Sequence, residues 1–152
     1  MTKMIFLNLP VADLAAARAF YEAIGFTNNP QFTDETAACM VLSDVIHVML
    51  LTHDKWRSFT AKAIPDAHES AQVMLCISED SRADVDAITE KAIAAGGKEA
   101  GDPDDYGFMY GRNFEDLDGH IWAPMWMDMA AATATAMAEP AGARPHAKER
   151  TG

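Results

Sequence analysis

Apolar and polar positions follow a strand–helix–strand order near the start of the chain. Residues 4–9 form a short apolar run, and the helical spacing of apolar residues from Leu14 to Ile24 predicts a helix that ends at Gly25. Asp13 precedes this helix as its expected N-cap. Three strands are then expected near residues 26–32, 37–42 and 45–51, where apolar runs are separated by short polar turns. The first unit is therefore predicted to be β-α-β-β-β.

The same order returns after a polar, proline-containing connector over residues 53–67 that is expected to hold a short helical turn. Residues 72–78 predict a strand, Ser81 is the expected N-cap of a second helix, and that helix stops at Gly96-Gly97. A short strand over residues 98–100 and an acidic loop over 101–106 lead to aromatic-rich runs over 107–114 and 120–127. The connector between these runs ends in Asp118-Gly119, a strong turn signal, so we interpret the stretch as a closing β-hairpin. The chain then contains two copies of one βαβββ unit.

Length and composition indicate one globular domain. The chain has 152 residues, of which 49% are hydrophobic and 23% charged. We assign the domain to residues 1–129, with modules over roughly residues 3–52 and 71–128. Residues 130–152 are rich in Ala, Thr and Pro and lack a periodic apolar pattern, so a flexible tail is expected there.

Charge and hydropathy exclude several partners. The net charge is −11 and the 12 Lys and Arg residues are scattered, which argues against nucleic acid. No apolar run approaches the ~20 residues that span a bilayer, and no signal peptide is recognisable, so no membrane partner and a cytoplasmic location are expected. Cys39 and Cys76 lie in apolar runs, where we expect buried free thiols.

Two motifs resemble the vicinal oxygen chelate superfamily, which includes glyoxalase I, bleomycin-resistance proteins, fosfomycin-resistance enzymes and extradiol dioxygenases. One is F-x-D-x-D-G-H-x-W over residues 114–122. The other is L-x-V-x-D-L-x5-F-Y-x3-G-F, which is formed by Leu9, Val11, Asp13, Leu14, Phe20, Tyr21, Gly25 and Phe26. The resemblance implies an α+β fold in which two βαβββ modules form a cupped mixed sheet around a cavity, and it implies a homodimer.

The resemblance also indicates where a metal would bind. It assigns the ligand positions of the superfamily to Phe6, to Met49 or Leu50, to Gln72 and to Ala123. Among these only Gln72 carries a suitable donor, whereas a catalytic divalent ion usually needs about three protein ligands. We therefore expect no metal and no cofactor.

Strand alternation suggests which neighbours share the cavity, because residues two apart lie on one face of a strand. His47 is the one imidazole expected in the cavity, among methionines and an aromatic ring that suit an adaptable apolar ligand. Tyr110 and Arg112 share a strand face, where the arginine could bind an anionic group or form a salt bridge with a nearby carboxylate. The predicted ligand-binding residues are Phe6, Asn8, His47, Met49, Gln72, Met74, Tyr110, Arg112, Ala123 and Met125.

Three functions follow from these observations. The first is metal-free binding of a small, largely apolar organic molecule in a pocket between the two modules. The alternative is a divalent-metal-dependent lyase, isomerase or dioxygenase of the glyoxalase type that uses His47 and Gln72. A third is metal-free acid–base catalysis with His47 as the base, since histidine changes charge near neutral pH. The sequence leaves turnover open and identifies no catalytic residue beyond the candidate His47.

Overall fold

The computed structural model describes residues 1–131, so the predicted tail lies outside the described residues except at its first two positions. Three helices and ten short strands make up this part of the chain. In chain order they are β1 (Ile5–Val11), α1 (Leu14–Ala23), β2 (Thr27–Asn29), β3 (Ala37–Val41), β4 (Ile46–Thr52), α2 (His53–Phe59), β5 (Met74–Ser78), α3 (Arg82–Ala94), β6 (Lys98–Glu99), β7 (Asp104–Asp105), β8 (Met109–Gly111), β9 (Phe114–Glu115) and β10 (Ile121–Met127).

The two sheets repeat one topology. Sheet one has the strand order β1-β4-β3-β2, with β1 parallel to β4. In sheet two, β5 lies parallel to β10, and β8 and β9 pair antiparallel with the other side of β10. The short strand β6 pairs with β9, and β7 pairs with β8. If β6 and β7 count as the second strand of module two, and β8 and β9 as its third, both sheets follow the order first-fourth-third-second. The predicted fold class is confirmed: an α+β protein with two βαβββ modules that form a cupped mixed sheet.

The strand made of β8 and β9 is interrupted by a proline on its partner. Gly111 pairs with Met125 and Phe114 pairs with Trp122, so a single register runs through both segments. Pro124 lies between these partners and has no N–H to donate to the ladder, although its carbonyl still accepts from the Arg112 amide at 3.2 Å. The predicted closing hairpin therefore forms, with a break at its centre.

The helix boundaries follow from local chemistry. Asp13 Oδ1 accepts the Ala16 amide at 3.0 Å, and Ser81 Oγ accepts the Asp84 amide at 3.1 Å, as the sequence predicted. Gly25, which follows α1, has a φ of +112°, a conformation that favours glycine.

One predicted strand is shorter than expected. The strand expected over residues 26–32 ends at Asn29, and Pro30–Phe32 form a 3-10 turn. Pro30 cannot continue the ladder, and Asn29 Oδ1 accepts the Gln31 amide at 3.0 Å, which starts the turn.

The core joins the two modules through a buried hydrogen-bonded group. Tyr21 on α1 donates to Asp116 Oδ2 at 2.6 Å and accepts from Trp122 Nε1 at 2.9 Å. Phe20 and Phe114 complete the contact, and both are fully buried, as are Tyr21 and Trp122. Burial raises the pKa of Asp116 despite the hydrogen bonds that favour its charged form. Within residues 1–131, no helix is both long and apolar enough to cross a bilayer.

Candidate functional site

One face of sheet one is turned away from helix α1 and carries four predicted site residues. Phe6 pairs with His47 and Asn8 pairs with Met49 in the parallel register of β1 and β4. The residues between them point the other way, and Val48 is fully buried in the core. The structure therefore brings Phe6, Asn8, His47 and Met49 together on what we call the open face of sheet one.

Sheet two has an open face of the same kind. Ala123 pairs with Cys76, and Met125 follows two residues later on the same side of β10. Trp122, the neighbour of Ala123, points to the opposite side and is fully buried. Met74 lies on the open face at the start of β5, and 56% of its surface is exposed.

Gln72 and Cys76 differ from their predicted settings. Gln72 is exposed and precedes β5, which begins at Met74, so strand pairing does not orient its side chain. Cys76 is a free, exposed thiol, whereas Cys39 is buried as expected. The prediction of two buried thiols was wrong for Cys76 because its strand presents it to the open face. Desolvation by its surroundings still raises the pKa of Cys76.

The structure does not bring Tyr110 and Arg112 to the open faces. Tyr110 pairs with Trp126, on the side of sheet two that faces helix α3. Tyr110 donates to Asp86 Oδ1 at 2.6 Å, and Arg112 binds the same oxygen at 3.1 Å. Side chains alternate between the two faces along β10. Trp126, the partner of Tyr110, therefore lies on the face opposite to Ala123.

The Arg112 guanidinium is occupied by carboxylates. Only 10% of its side chain is exposed, and besides Asp86 it contacts Glu90 at 2.8 Å and Glu99 at 2.6 Å. Burial alone would lower the pKa of Arg112, but hydrogen bonds to these three carboxylates raise it. Its role is a salt-bridge network that fixes α3 to sheet two, which corrects its assignment to the ligand pocket.

His47 is the polar centre of the open face of sheet one. Its ring stacks on Phe6 with centroids 4.6 Å apart, and its Nε2 lies 3.3 Å from the Asp44 carbonyl oxygen. Its Nδ1 is buried with no hydrogen-bond partner. Trp56 on α2 likewise has a buried Nε1 with no partner. Such atoms are uncommon in folded proteins and can mark functional positions.

Sequence reasoning missed a buried polar residue opposite Ala123 and a buried polar atom on α2. The register that runs through β8 and β9 puts Asn113 opposite Ala123, and Asn113 is buried. The alternation from Phe114 could have identified it. The unpaired N–H of Trp56 on α2 has no signature in the sequence.

The family's metal-ligand positions do not form a donor set. Phe6 and Ala123 carry no donor atoms, and Met49 offers a soft thioether. Leu50 is fully buried, and Gln72 is the one oxygen donor. In residues 1–131 no three His, Cys, Asp or Glu side chains are grouped so that they could hold a metal ion. These residues do not fit a divalent catalytic site of the glyoxalase type.

Comparisons with known proteins agree with this architecture. A structure of a hypothetical protein from S. aureus superposes with a TM-score of 0.69, with 27% identity, 83% of this chain and 95% of that chain covered. A glyoxalase/bleomycin resistance protein/dioxygenase family enzyme from Burkholderia phytofirmans PsJN gives a TM-score of 0.68 at 16% identity, covering 83% and 99% of the two chains. TioX from Micromonospora sp. ML1 gives 0.58 at 17% identity, covering 84% and 99%. At these identities the last two show the fold alone. A search of curated proteins gave no match.

The fold and its repeated topology agree with those that the resemblance to the vicinal oxygen chelate superfamily implies. The family model described as bleomycin resistance protein-like N-terminal matches residues 3–43, which lie in the first module. The chain therefore has the fold of these neighbours, and its first module is similar to the N-terminal part of bleomycin-resistance proteins.

Proposed function

We propose that the protein binds a small, largely apolar organic molecule without a metal, in a pocket between its two modules that is lined by the open faces. The observation that carries the proposal is the apolar character of these faces at positions where metal-dependent relatives need donors. Phe6 and Met74 are more than half exposed, although large apolar side chains are normally buried in a core. An exposed apolar surface of this kind is typical of a binding site.

Two buried atoms without partners suggest how the ligand is oriented. A polar group on the ligand would supply a partner for His47 Nδ1, for Trp56 Nε1 or for both. Both atoms are already unpaired in the free protein, so a ligand with a polar group that reaches one of them would gain a hydrogen bond, worth about 0.5–1.5 kcal/mol, that a wholly apolar molecule cannot form. The ligand class is therefore an apolar molecule with one or two hydrogen-bonding groups.

A homodimer is part of the proposal. Ile5 and Val73 are exposed apolar residues at the beginnings of the two modules' first strands, next to Phe6 and Met74. Within the described residues β1 pairs with β4 alone, which leaves its other edge unpaired. Exposed apolar strand edges are commonly covered by another chain.

A second candidate is metal-free acid–base catalysis by His47, whose imidazole lies on the open face of sheet one. The metal-dependent alternative lacks support in the donor set described above. A cytoplasmic location stays a prediction from the sequence.

Binding can be tested with indole, an uncharged apolar molecule with one N–H group. Protein labelled with 13C at its methionine methyl groups should show saturable shifts of the Met49, Met74 and Met125 signals, while Met40, which is fully buried in the core, should not shift. Ala123→Phe should weaken binding at least about tenfold by filling the face. Ala19→Phe, on an exposed position of α1, is the matched control and should bind normally.

Metal content separates the proposal from its alternative. The protein is incubated with zinc, nickel, manganese or ferrous iron, desalted and submitted to elemental analysis. Retention below about 0.1 ion per chain supports the proposal, and about one ion per chain would refute it. Shifts confined to methionines outside the open faces would also refute it.

The dimer has its own test. Ile5→Lys should shift the protein toward monomer in sedimentation velocity, because a charge in an apolar interface is costly. Phe59→Lys replaces an equally exposed apolar residue on α2 and should leave the mass unchanged. A monomeric wild type would contradict the homodimer.

A further inference from the structure

We propose a second binding site, for a small molecule with an oxyanion group such as a carboxylate or phosphate, in a cleft where the two modules and their connector meet. The cleft has a volume of about 320 Å³ and differs from the open faces in all of its lining residues. Small-molecule sites start at about 300 Å³ and occur preferentially where structural units meet. We call it the junction cleft, and its polar lining consists of His53, Arg57, Asp66, His68, Asp118 and His120.

The back of the junction cleft is fixed by close packing. Gly119 has a φ of +92°, and a Cβ at this position would lie 2.6 Å from the Ala67 carbonyl carbon and the His68 amide nitrogen. The connector therefore touches the hairpin turn directly, and only glycine allows this approach. His68 is held at the cleft by this contact.

Hydrogen bonds fix the other wall. The Ala12 amide donates to Asp118 Oδ1 at 2.8 Å, which ties the end of β1 to the hairpin turn. His120 Nε2 lies 2.9 Å from the Pro10 carbonyl oxygen and so orients the imidazole ring. The cleft is thus formed by segments more than 100 residues apart that are bonded to each other.

The lining concentrates cationic and donor side chains in an acidic protein. Three of the five histidines of the chain line the cleft, together with Arg57. His53 and Arg57 are four residues apart on α2 and therefore lie on one side of that helix. A guanidinium and imidazoles that line one cleft provide N–H donors that an oxyanion can accept.

Acidic groups also line the junction cleft. Asp118 Oδ1 accepts the Ala12 amide, and Asp66 Oδ1 accepts the His68 amide at 2.9 Å, so each carboxylate has one oxygen engaged. Arg57 also contacts Asp54 at 3.2 Å, but both side chains are largely exposed and such a pair is weak.

The charged side chains of the lining are one arginine and two aspartates, and the three histidines add further N–H donors for an oxyanion. A divalent metal is a poorer occupant, since no group of three potential ligands in residues 1–131 could hold one.

The test is a titration with inorganic phosphate, and separately with acetate, followed by NMR signals of the histidine rings. Phosphate should give saturable shifts of His53, His68 and His120 that fit one Kd. His47, on the open face, should not respond. Saturation by acetate as well as phosphate assigns a carboxylate ligand, and saturation by phosphate alone assigns a phosphate ester.

Two arginine variants supply the control. Arg57→Gln should weaken phosphate binding about fivefold or more. Arg18→Gln removes an arginine that is likewise exposed and paired within one turn of its helix, and it should leave the binding unchanged. Shifts that grow linearly with phosphate, an equal response of His47, or identical behaviour of the two variants would overturn the proposal.

Discussion

Tyr21→Phe is the substitution that best tests how the two modules are held together. The Tyr21 hydroxyl donates to Asp116 and accepts from Trp122, so it connects α1 in module one with the hairpin of module two. Phenylalanine keeps the ring and its packing and removes this oxygen alone. The change in stability therefore reports the value of the two hydrogen bonds.

The expected loss follows from the burial of the three groups. Deleting a hydrogen bond to a carboxylate removes about 1.5–3 kcal/mol, and leaving the Trp122 N–H buried without an acceptor costs about 1–3 kcal/mol more. Tyr21 and Trp122 are fully buried, so water cannot replace the lost oxygen. We expect the free energy of unfolding to fall by roughly 3–5 kcal/mol, a large part of the about 5–15 kcal/mol typical of a domain.

Tyr110→Phe is the matched control. Its hydroxyl donates to Asp86 at 2.6 Å, the same distance as the bond from Tyr21 to Asp116. The Asp86 side chain is 49% exposed, so water replaces the lost partner and the expected loss is below about 1 kcal/mol. Both variants are compared with the wild type by urea unfolding, and their m-values should not change. Equal losses of unfolding free energy in Tyr21→Phe and Tyr110→Phe would refute the reasoning that burial makes the hydrogen bonds of Tyr21 more stabilising.

The hydrogen bond between Tyr21 and Asp116 also predicts how the loss of stability depends on pH. Burial raises the pKa of Asp116 in the folded protein, and the Tyr21 hydrogen bond lowers it in part. Ionisation of Asp116 therefore removes stability as pH rises from its unfolded pKa, about 3.9, through the folded value. Phenylalanine at position 21 raises the folded pKa further, so the loss caused by Tyr21→Phe should shrink as pH falls below that value. A loss that is constant with pH would show that Asp116 does not ionise in the folded protein.

Three further predictions concern residues that support the sheets and the hairpin turn, and the two cysteines. Gly119→Ala should lower the free energy of unfolding by about 2 kcal/mol or more in urea, because its Cβ would lie 2.6 Å from Ala67 at a φ of +92°. Arg112→Met should cost about 1–3 kcal/mol by the same assay, since its partners are partly exposed and can be solvated. Cys76 should react with a thiol reagent in the folded protein and Cys39 only after unfolding, as measured by mass spectrometry. Losses within about 0.5 kcal/mol of zero, or equal labelling of both thiols, would contradict these predictions.

The helices and most strands could be predicted because their signals are local. Asp13 and Ser81 cap their helices through bonds to amides three residues away. The open faces could be assigned in the same way, since alternation fixes the side on which Phe6 and Ala123 lie once their neighbours are known to be apolar.

What could not be predicted depends on partners distant in sequence. Tyr110 and Arg112 were correctly expected to share a face, but the register with β10 decides which face that is. The carboxylates that bind Arg112 come from α3 and β6, and nothing near Arg112 in the sequence identifies them. The histidines of the junction cleft lie far apart in the sequence and meet only through tertiary contacts.

Adjacent residues of β10 have different roles, one in the stability of the fold and the other in the proposed pocket. Adding metal-ligand side chains to the open faces tests where the pocket lies. Trp122 is fully buried in the core. Its neighbour Ala123 lies on the open face, where we expect a substitution to cost little folding free energy. If the open faces converge, the triple variant Phe6→His, Met49→Glu and Ala123→Glu should fold and, with Gln72, supply enough donors for a divalent ion. We expect about one retained zinc or nickel ion per chain in the triple variant, far above the wild type, by elemental analysis after desalting. The single variant Ala123→Glu, with one added carboxylate, should retain almost none. A folded triple variant that retains no metal would mean that these positions do not meet, and the proposed pocket between the modules would have to be abandoned.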